Sequence, residues 1–348
     1  MNNKETVLVT GATGFIGGNL VKRLLQEGYQ VRGGIRTLND PKKVKHFYDL
    51  PNSQNFKPVL TDLYQKDCWA EAIEGCKYVI HTAIPFSGDM PKKNQYKKVL
   101  KVIAESEELI FRTCIEKKVK RYITTSSLAS VNSGHPKSKT DFTESDFCVE
   151  SKLEFMLKFK WIGEKVAWKI YNENKDKIEF TVILPPLVIG KTICGMEPGS
   201  AIFMKVALTG EMPSMPKMKF AVTHVDNMVD AYVNSMTEPK ANGQRYMILE
   251  DAYWVEDLFK MVRDEFKPRG YKVTERKMWY FTFWLISLID PMMSELKPSW
   301  DWDVNFDNSK SKRDLNIVYK SVKDAVSETC NFLIDQGYVK RSKKDRGE

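Results

Sequence analysis

The sequence predicts an α/β fold, a doubly wound parallel sheet with a smaller C-terminal lobe. Short β-branched apolar runs alternate with helical patterns from residue 6 to about residue 190. The first run opens directly into a glycine triplet and a helix. Past that point the alternation weakens and Gly, Pro and Met become frequent, as in KTICGMEPGSAIFMK and TGEMPSMPKMKF. We therefore divide the chain into residues 1–190 and a lobe of residues 191–348, partly interleaved with the first domain.

Residues TVLVT (6–10) suit a strand buried on both faces. The segment GATGFIGGNLVKRLLQEGYQV follows, with Gly11, Gly14 and Gly17 spaced GxxGxxG. Ile16, Leu20 and Leu24 then recur at helical spacing until Gly28. One glycine tolerates the dihedrals of the turn, another lets the backbone approach a pyrophosphate, and a third lets helix and strand pack closely. Free N–H groups at the helix start face the anion. Between a clear strand and a clear helix, this triplet reads as a Rossmann-type dinucleotide site. The next strand, YQVRGGIR, ends in Arg36, where an NAD site usually carries an acidic residue. Lys42, Lys43 and Lys45 come close behind, and such cations suit a 2′-phosphate. The expected cofactor is NADP(H).

Further strands are expected at FKPVLTDL (56–63), KYVIHTAI (77–84) and KRYITTSSLASV (120–131), with a long helix around residues 94–116. EFMLKFKWIGEKVAWKIYNENK (154–175) reads as a helix, and KIEFTVILPPLVIG (177–190) as the strand after it. Helices near 254–265 and 321–336 then interleave with short strands. MWYFTFWLISLID (278–290) falls short of the roughly 20 residues a membrane span needs. It reads as a buried or interface helix, with peripheral membrane contact the lesser reading.

At 348 residues the chain is long enough for one large α/β unit or two domains sharing a core. Its six cysteines show no CxxC or other metal-ligand spacing. That points to reduced thiols in a cytoplasmic setting and away from disulfides or a zinc site. A strand beginning at residue 6 leaves no room ahead of it for a signal peptide. The net charge of +9 comes from lysines spread along the chain, the dense cluster being the tail RSKKDRGE. Without stacking aromatics or a helix-turn-helix pattern, no nucleic-acid partner is expected.

TGATGFIG (10–17), VRGGIR…PKKVKHFYDLP (31–51), TDL (61–63), HTAIPF (81–86), TSSLASVN (125–132) and AWKIYNEN (167–174) together resemble the extended short-chain dehydrogenases. Within them, the chain is most similar to the branch of dihydroflavonol reductase, cinnamoyl-CoA reductase and the related microbial aldehyde reductases. HVDNMVDAYVNSM, GQRYMI and FDNSKSKRDLNI also resemble that branch, so the likeness runs from about residue 5 to about residue 337. The resemblance implies Gly11, Gly14, Phe15 and Ile16 around the pyrophosphate, with Gly17 in the same cofactor loop. It implies Arg36 and Lys43 on the 2′-phosphate, Asp62 and Leu63 against the adenine, and Ala83 near the ribose and nicotinamide. Pro185 would begin the loop past the nicotinamide. Ser127, or its neighbour Ser126, would polarise a substrate carbonyl, although serines also commonly terminate strands.

In this family a tyrosine gives its proton to the carbonyl oxygen as hydride arrives, and a lysine four residues later holds the nicotinamide ribose. Residues i and i+4 share one helix face. Matching AWKIYNEN and SDFCVESKLEF to the family pattern puts the lysine at Lys160 and Met156 at the tyrosine position. A thioether has no proton to give. Tyr171 and Lys175 also spell YxxxK, but Tyr171 lies eleven residues after Lys160, roughly 16 Å along the helix. Lys158 points to a different face; a water or Ser127 relaying a proton, or a substrate whose product oxygen needs little help, stay open as substitutes.

Two functions stay open. One is an NADPH-dependent reductase of an aldehyde or ketone with altered acid catalysis. The other is a non-catalytic NADP(H)-binding protein with a structural or redox-sensing role, for which MWYFTFW offers a docking surface. An isomerase or dehydratase on the same fold is a third reading. The Met, Phe and Trp after residue 190 favour an apolar or aromatic small-molecule carbonyl substrate. A homodimer is the family's habit, through the two long helices flanking the active site.

Overall fold

In a computed structural model of the chain, residues 5–85, 91–153, 155–195 and 199–347 are described. The first half runs β1 (Thr6–Thr10), α1 (Phe15–Gln26), β2 (Gln30–Ile35), the single turn α2 (Lys45–Tyr48) and β3 (Phe56–Leu60). It continues through α3 (Trp69–Ile73), β4 (Tyr78–His81), α4 (Tyr96–Glu116), β5 (Arg121–Thr125) and the turn α5 (Ala129–Asn132). Next come β6 (Asp141–Phe142), α6 (Phe155–Glu173), β7 (Glu179–Leu184) and β8 (Leu187–Ile189). The chain goes on with α7 (Ile202–Thr209), β9 (Lys219–His224), α8 (Val225–Thr237), β10 (Gln244–Met247) and β11 (Asp251–Trp254). Last are α9 (Val255–Phe266), α10 (Tyr280–Ile289), α11 (Pro291–Glu295), β12 (Asn305–Phe306), α12 (Ser309–Leu315) and α13 (Val322–Asp335).

Seven strands form one parallel sheet in the order β10-β7-β5-β4-β1-β2-β3. The order reverses at β1, as in a doubly wound sheet. Burial on both faces explains why Val7, Leu8 and Val9 of β1 are all apolar. Val7 and Val9 enter one core with Leu20 and Leu24 of α1, while Leu8 enters the opposite core with Ile110 of α4. A third core lies among α7, α9, α13 and the small sheet β11-β9-β8, and holds Met204, Phe259, Val262 and Leu333.

Three expectations need correction. Residues 177–190 are not one strand. Pro185 and Pro186 lack the N–H groups a ladder requires, so β7 stops at Leu184 and β8 restarts in the small sheet. The fifth strand ends at Thr125, because Ser127 and the residues after it turn into α5. The run 278–290, read as a buried or interface helix, does form a helix, α10, and only the buried half of that reading fails. Phe283 and Ser287 are its buried residues, and Phe283 stacks on Trp300 with ring centroids 4.8 Å apart. A helix apolar on every side can hide only one of them against a single neighbour.

Candidate active site

The glycine loop joins β1 to α1 at the carboxyl edge of the sheet. Gly11 has φ +67°, a left-handed value that favours glycine. A Cβ on Gly17 would stand 2.2 Å from the Gly11 carbonyl oxygen, so the helix can close onto the turn only without a side chain there. A Cβ on Gly11 would meet the Ala83 backbone at 3.1 Å, which places Ala83 directly beside the loop. Gly14 caps α1 with extended backbone, and no acidic residue stands in the first turn. The first-turn N–H groups, from Phe15 onward, thus face the loop with no negative charge among them. This cradle fits a pyrophosphate.

Arg36 follows β2 and is exposed. Lys43 is also exposed, 3.7 Å from Asp40. Asp62 and Leu63 sit just past β3, where the Asp62 carboxylate accepts from the Tyr64 N–H and the Gln65 amide. Phe86 of the HTAIPF motif lies outside the described residues.

The strand ends beneath the loop are tied by buried polar groups. Thr10 Oγ1 and His81 Nδ1 are 2.8 Å apart, and Thr125 Oγ1 donates to the His81 carbonyl at 2.8 Å. Burial, reinforced by the charge of Lys160, pushes the His81 pKa down to about 3, so this ring is neutral. Glu107 of α4 lies 3.8 Å from His81 Nε2 and accepts from the Tyr122 hydroxyl at 2.9 Å. Its carboxyl is pushed up to about 7 by burial.

The two serines after β5 part company. Ser127 lines a cavity of about 410 Å³ together with Leu157, Pro185, Phe220, Leu296 and Trp302. Ser126 is buried and donates to the Glu164 carboxylate. Glu164 is fully buried on α6, where it also accepts from Ser130 Oγ at 2.7 Å and Trp168 Nε1 at 3.1 Å, and forms an ion pair with Arg245, whose Nε lies 2.6 Å away. Arg245 arrives from β10 and donates onward to the carbonyls of Glu144 and Asp146. A buried carboxylate with this many donors and a cation is satisfied. The contact fixes α6 against the end of β5, and the Leu128 N–H donates to the Pro185 carbonyl at 2.9 Å, fixing the β7 loop beside it.

On α6, Lys160 stands one turn before Glu164 and Met156 one turn before Lys160. Desolvation pushes the Lys160 pKa down to about 8. Met156 belongs to the helix, and its side chain lies outside the described residues. Tyr171 is at the other end. It is buried against Phe180, and its hydroxyl donates to Asn242 Oδ1 at 3.0 Å. Phe180 is near the start of β7, so the Tyr171–Lys175 pair sits at the amino edge of the sheet, away from the cavity. Glu164 and Arg245 were missed from sequence. The signals were there, since Glu164 is i+4 from Lys160 and a lone arginine in an apolar strand calls for a buried counter-charge.

Fold and site together define a dinucleotide-binding protein of the doubly wound α/β class. The chain belongs to the 3-beta hydroxysteroid dehydrogenase/isomerase family, whose model matches residues 8–276. It is 34% identical over 283 residues to dihydroflavonol 4-reductase of Gerbera hybrida, covering 79% of this chain and 76% of that one. Against dihydroflavonol 4-reductase of Solanum lycopersicum it is 31% identical over 351 residues, covering 99% and 86%. The fold matches vestitone reductase from alfalfa with a TM-score of 0.76 at 24% identity, over 97% of this chain and 100% of that one. It also matches the yeast methylglyoxal/isovaleraldehyde reductase Gre2 complexed with NADPH, with a TM-score of 0.78 at 21% identity, over 96% and 100%. The reductase branch read from the motifs is the one these relatives occupy.

Proposed function

We propose that the chain is an NADPH-dependent reductase of a small apolar or aromatic aldehyde or ketone, with Met156 at the position of the proton-donating tyrosine. The observation that carries this reading is that the glycine cradle beside Ala83 and the Ser127-lined cavity both lie at the carboxyl edge of the parallel sheet. The names of its relatives, dihydroflavonol 4-reductases among them, support the carbonyl chemistry.

In this reading Gly11, Gly14, Phe15, Ile16 and Gly17 hold the pyrophosphate, and Arg36 with Lys43 the 2′-phosphate. Asp62 and Leu63 border the adenine, Ala83 and Lys160 the nicotinamide ribose, and Pro185 the far side of the nicotinamide. When bound, NADPH supplies a hydride to the carbonyl carbon. Ser127 donates a hydrogen bond from the cavity wall to the carbonyl oxygen as it gains negative charge. Lys160, with a pKa of about 8, still carries its proton at neutral pH and donates to the ribose hydroxyls. The oxygen then takes its proton from water, directly or through Ser127.

Met156 also favours a second reading, a non-catalytic NADP(H)-binding protein. NADPH consumption by the purified chain over a panel of aliphatic and aromatic aldehydes separates the two, with Met156→Tyr assayed beside it. We expect slow turnover by the wild type and a gain of about 10²-fold in the variant. Silence in the wild type with activity in Met156→Tyr makes the binding protein the better account.

A further inference from the structure

Helix α10 turns apolar side chains to water. Trp279 is 80% exposed, Phe281 66%, Leu288 59% and Ile289 85%, with Tyr280, Trp284 and Leu285 also open. We propose that α10 docks the protein on an anionic lipid surface, lying in the plane of the interface.

Length fixes the orientation. Ten residues of helix extend about 15 Å, half of the roughly 30 Å hydrocarbon core. Among the described residues no helix is long and apolar enough to cross a membrane. Composition fits the interface, since Trp and Tyr settle at the headgroup level while Leu, Ile and Phe reach the acyl boundary. Charge selects the lipid. Lys272 and Arg276 lead into the helix, exposed, and Lys297 follows it, and none of the three has an ion pair among the described residues. Lys277 stands beside them, paired with Glu256 at 2.7 Å. Of the other acids near the helix, Glu275 pairs with Lys267 at 2.7 Å, Asp301 with Lys217 at 2.6 Å and Asp303 with Lys219 at 2.7 Å, while Asp290 and Glu295 lie on the helix side, in a chain of net charge +9. A second copy docked face to face would set these cations against themselves, whereas an anionic bilayer complements them. The cavity wall of Leu296 and Pro298 follows α10 by one short helix, so docking brings that wall close to the lipid. The inference does not rest on the reductase reading, and a chain silent toward aldehydes should still bind.

The test is co-sedimentation of the full chain with vesicles of phosphatidylcholine alone and of phosphatidylcholine mixed with phosphatidylserine. We expect binding to the mixed vesicles, weakened by salt. Phe281→Asp and Leu288→Asp should each lower the partition by about tenfold or more. Arg276→Gln should lower it about fivefold. Because these side chains are exposed, the variants should match the wild type in thermal unfolding, and two apolar positions guard against one variant misfolding. Absence of binding to the mixed vesicles, or binding that both aspartate variants leave unchanged, overturns the proposal. So does a dimer in sedimentation velocity that Phe281→Asp abolishes without any vesicle binding, which would assign the face to a second copy.

Discussion

Ser126 and Ser127 are neighbours in the chain with opposite surroundings, one under the site and one in its wall. Ser127→Ala should cut turnover by about 10²–10³-fold while leaving NADPH affinity in place. Ser126→Ala should instead lower stability by about 1–3 kcal/mol, because Glu164 loses a buried donor. Steady-state kinetics and denaturant melts on the two variants check this, and a reversal would exchange the roles. Glu107 gives a pH signature. Its folded value of about 7 stands above the ordinary 4.5, so its favourable contribution is present below 4.5 and is lost as pH rises through about 7. Glu107→Gln should therefore raise stability at pH 8 by about 1–3 kcal/mol, with the gain vanishing toward pH 5. His81 works in the other direction in both proteins, since its depressed pKa costs stability as pH falls below its ordinary 6.5. Thermal melts of the two proteins across that range decide the point.

At the scale of elements, α6 carries Lys160 to the site and Tyr171 to the core. Tyr171→Phe should cost about 1 kcal/mol through the lost bond to Asn242 and leave any reductase activity unchanged. A large loss of turnover without loss of stability would restore the YxxxK pair as the working one. The first forty residues were legible because strand, turn and helix all follow from local rules: β-branched residues, a glycine triplet and a 3.6-residue period. The same locality placed α4, α6, α9 and α13 to within a few residues. Sequence reasoning failed where the decision was made at a distance. KIEFTVILPPLVIG reads as one strand until its second half is seen pairing with β9. Nothing local in α10 reveals that its described neighbours bury Phe283 and Ser287 and leave most of the helix open. Ser126 and Ser127 could not be told apart without knowing where Glu164 comes to rest.

For the whole molecule, cofactor occupancy should appear as stability. NADPH at a hundred times its dissociation constant adds about 2.7 kcal/mol to the folded state. NADPH should raise the melting temperature more than NADH at equal concentration, and Arg36→Glu should narrow or invert the difference. Equal shifts from both cofactors would remove the basis for a 2′-phosphate site. The strand order of the main sheet has one more consequence, which concerns synthesis. β7 ends at Leu184, but the strand that covers its free edge, β10, begins only at Gln244. That late strand also brings Arg245, the counter-charge to Glu164. While a nascent chain holds β7 and not yet β10, it has an open sheet edge and a carboxylate with no cation to bury it against. The candidate site therefore matures late on the ribosome, and a chain released before residue 247 should aggregate rather than bind nucleotide.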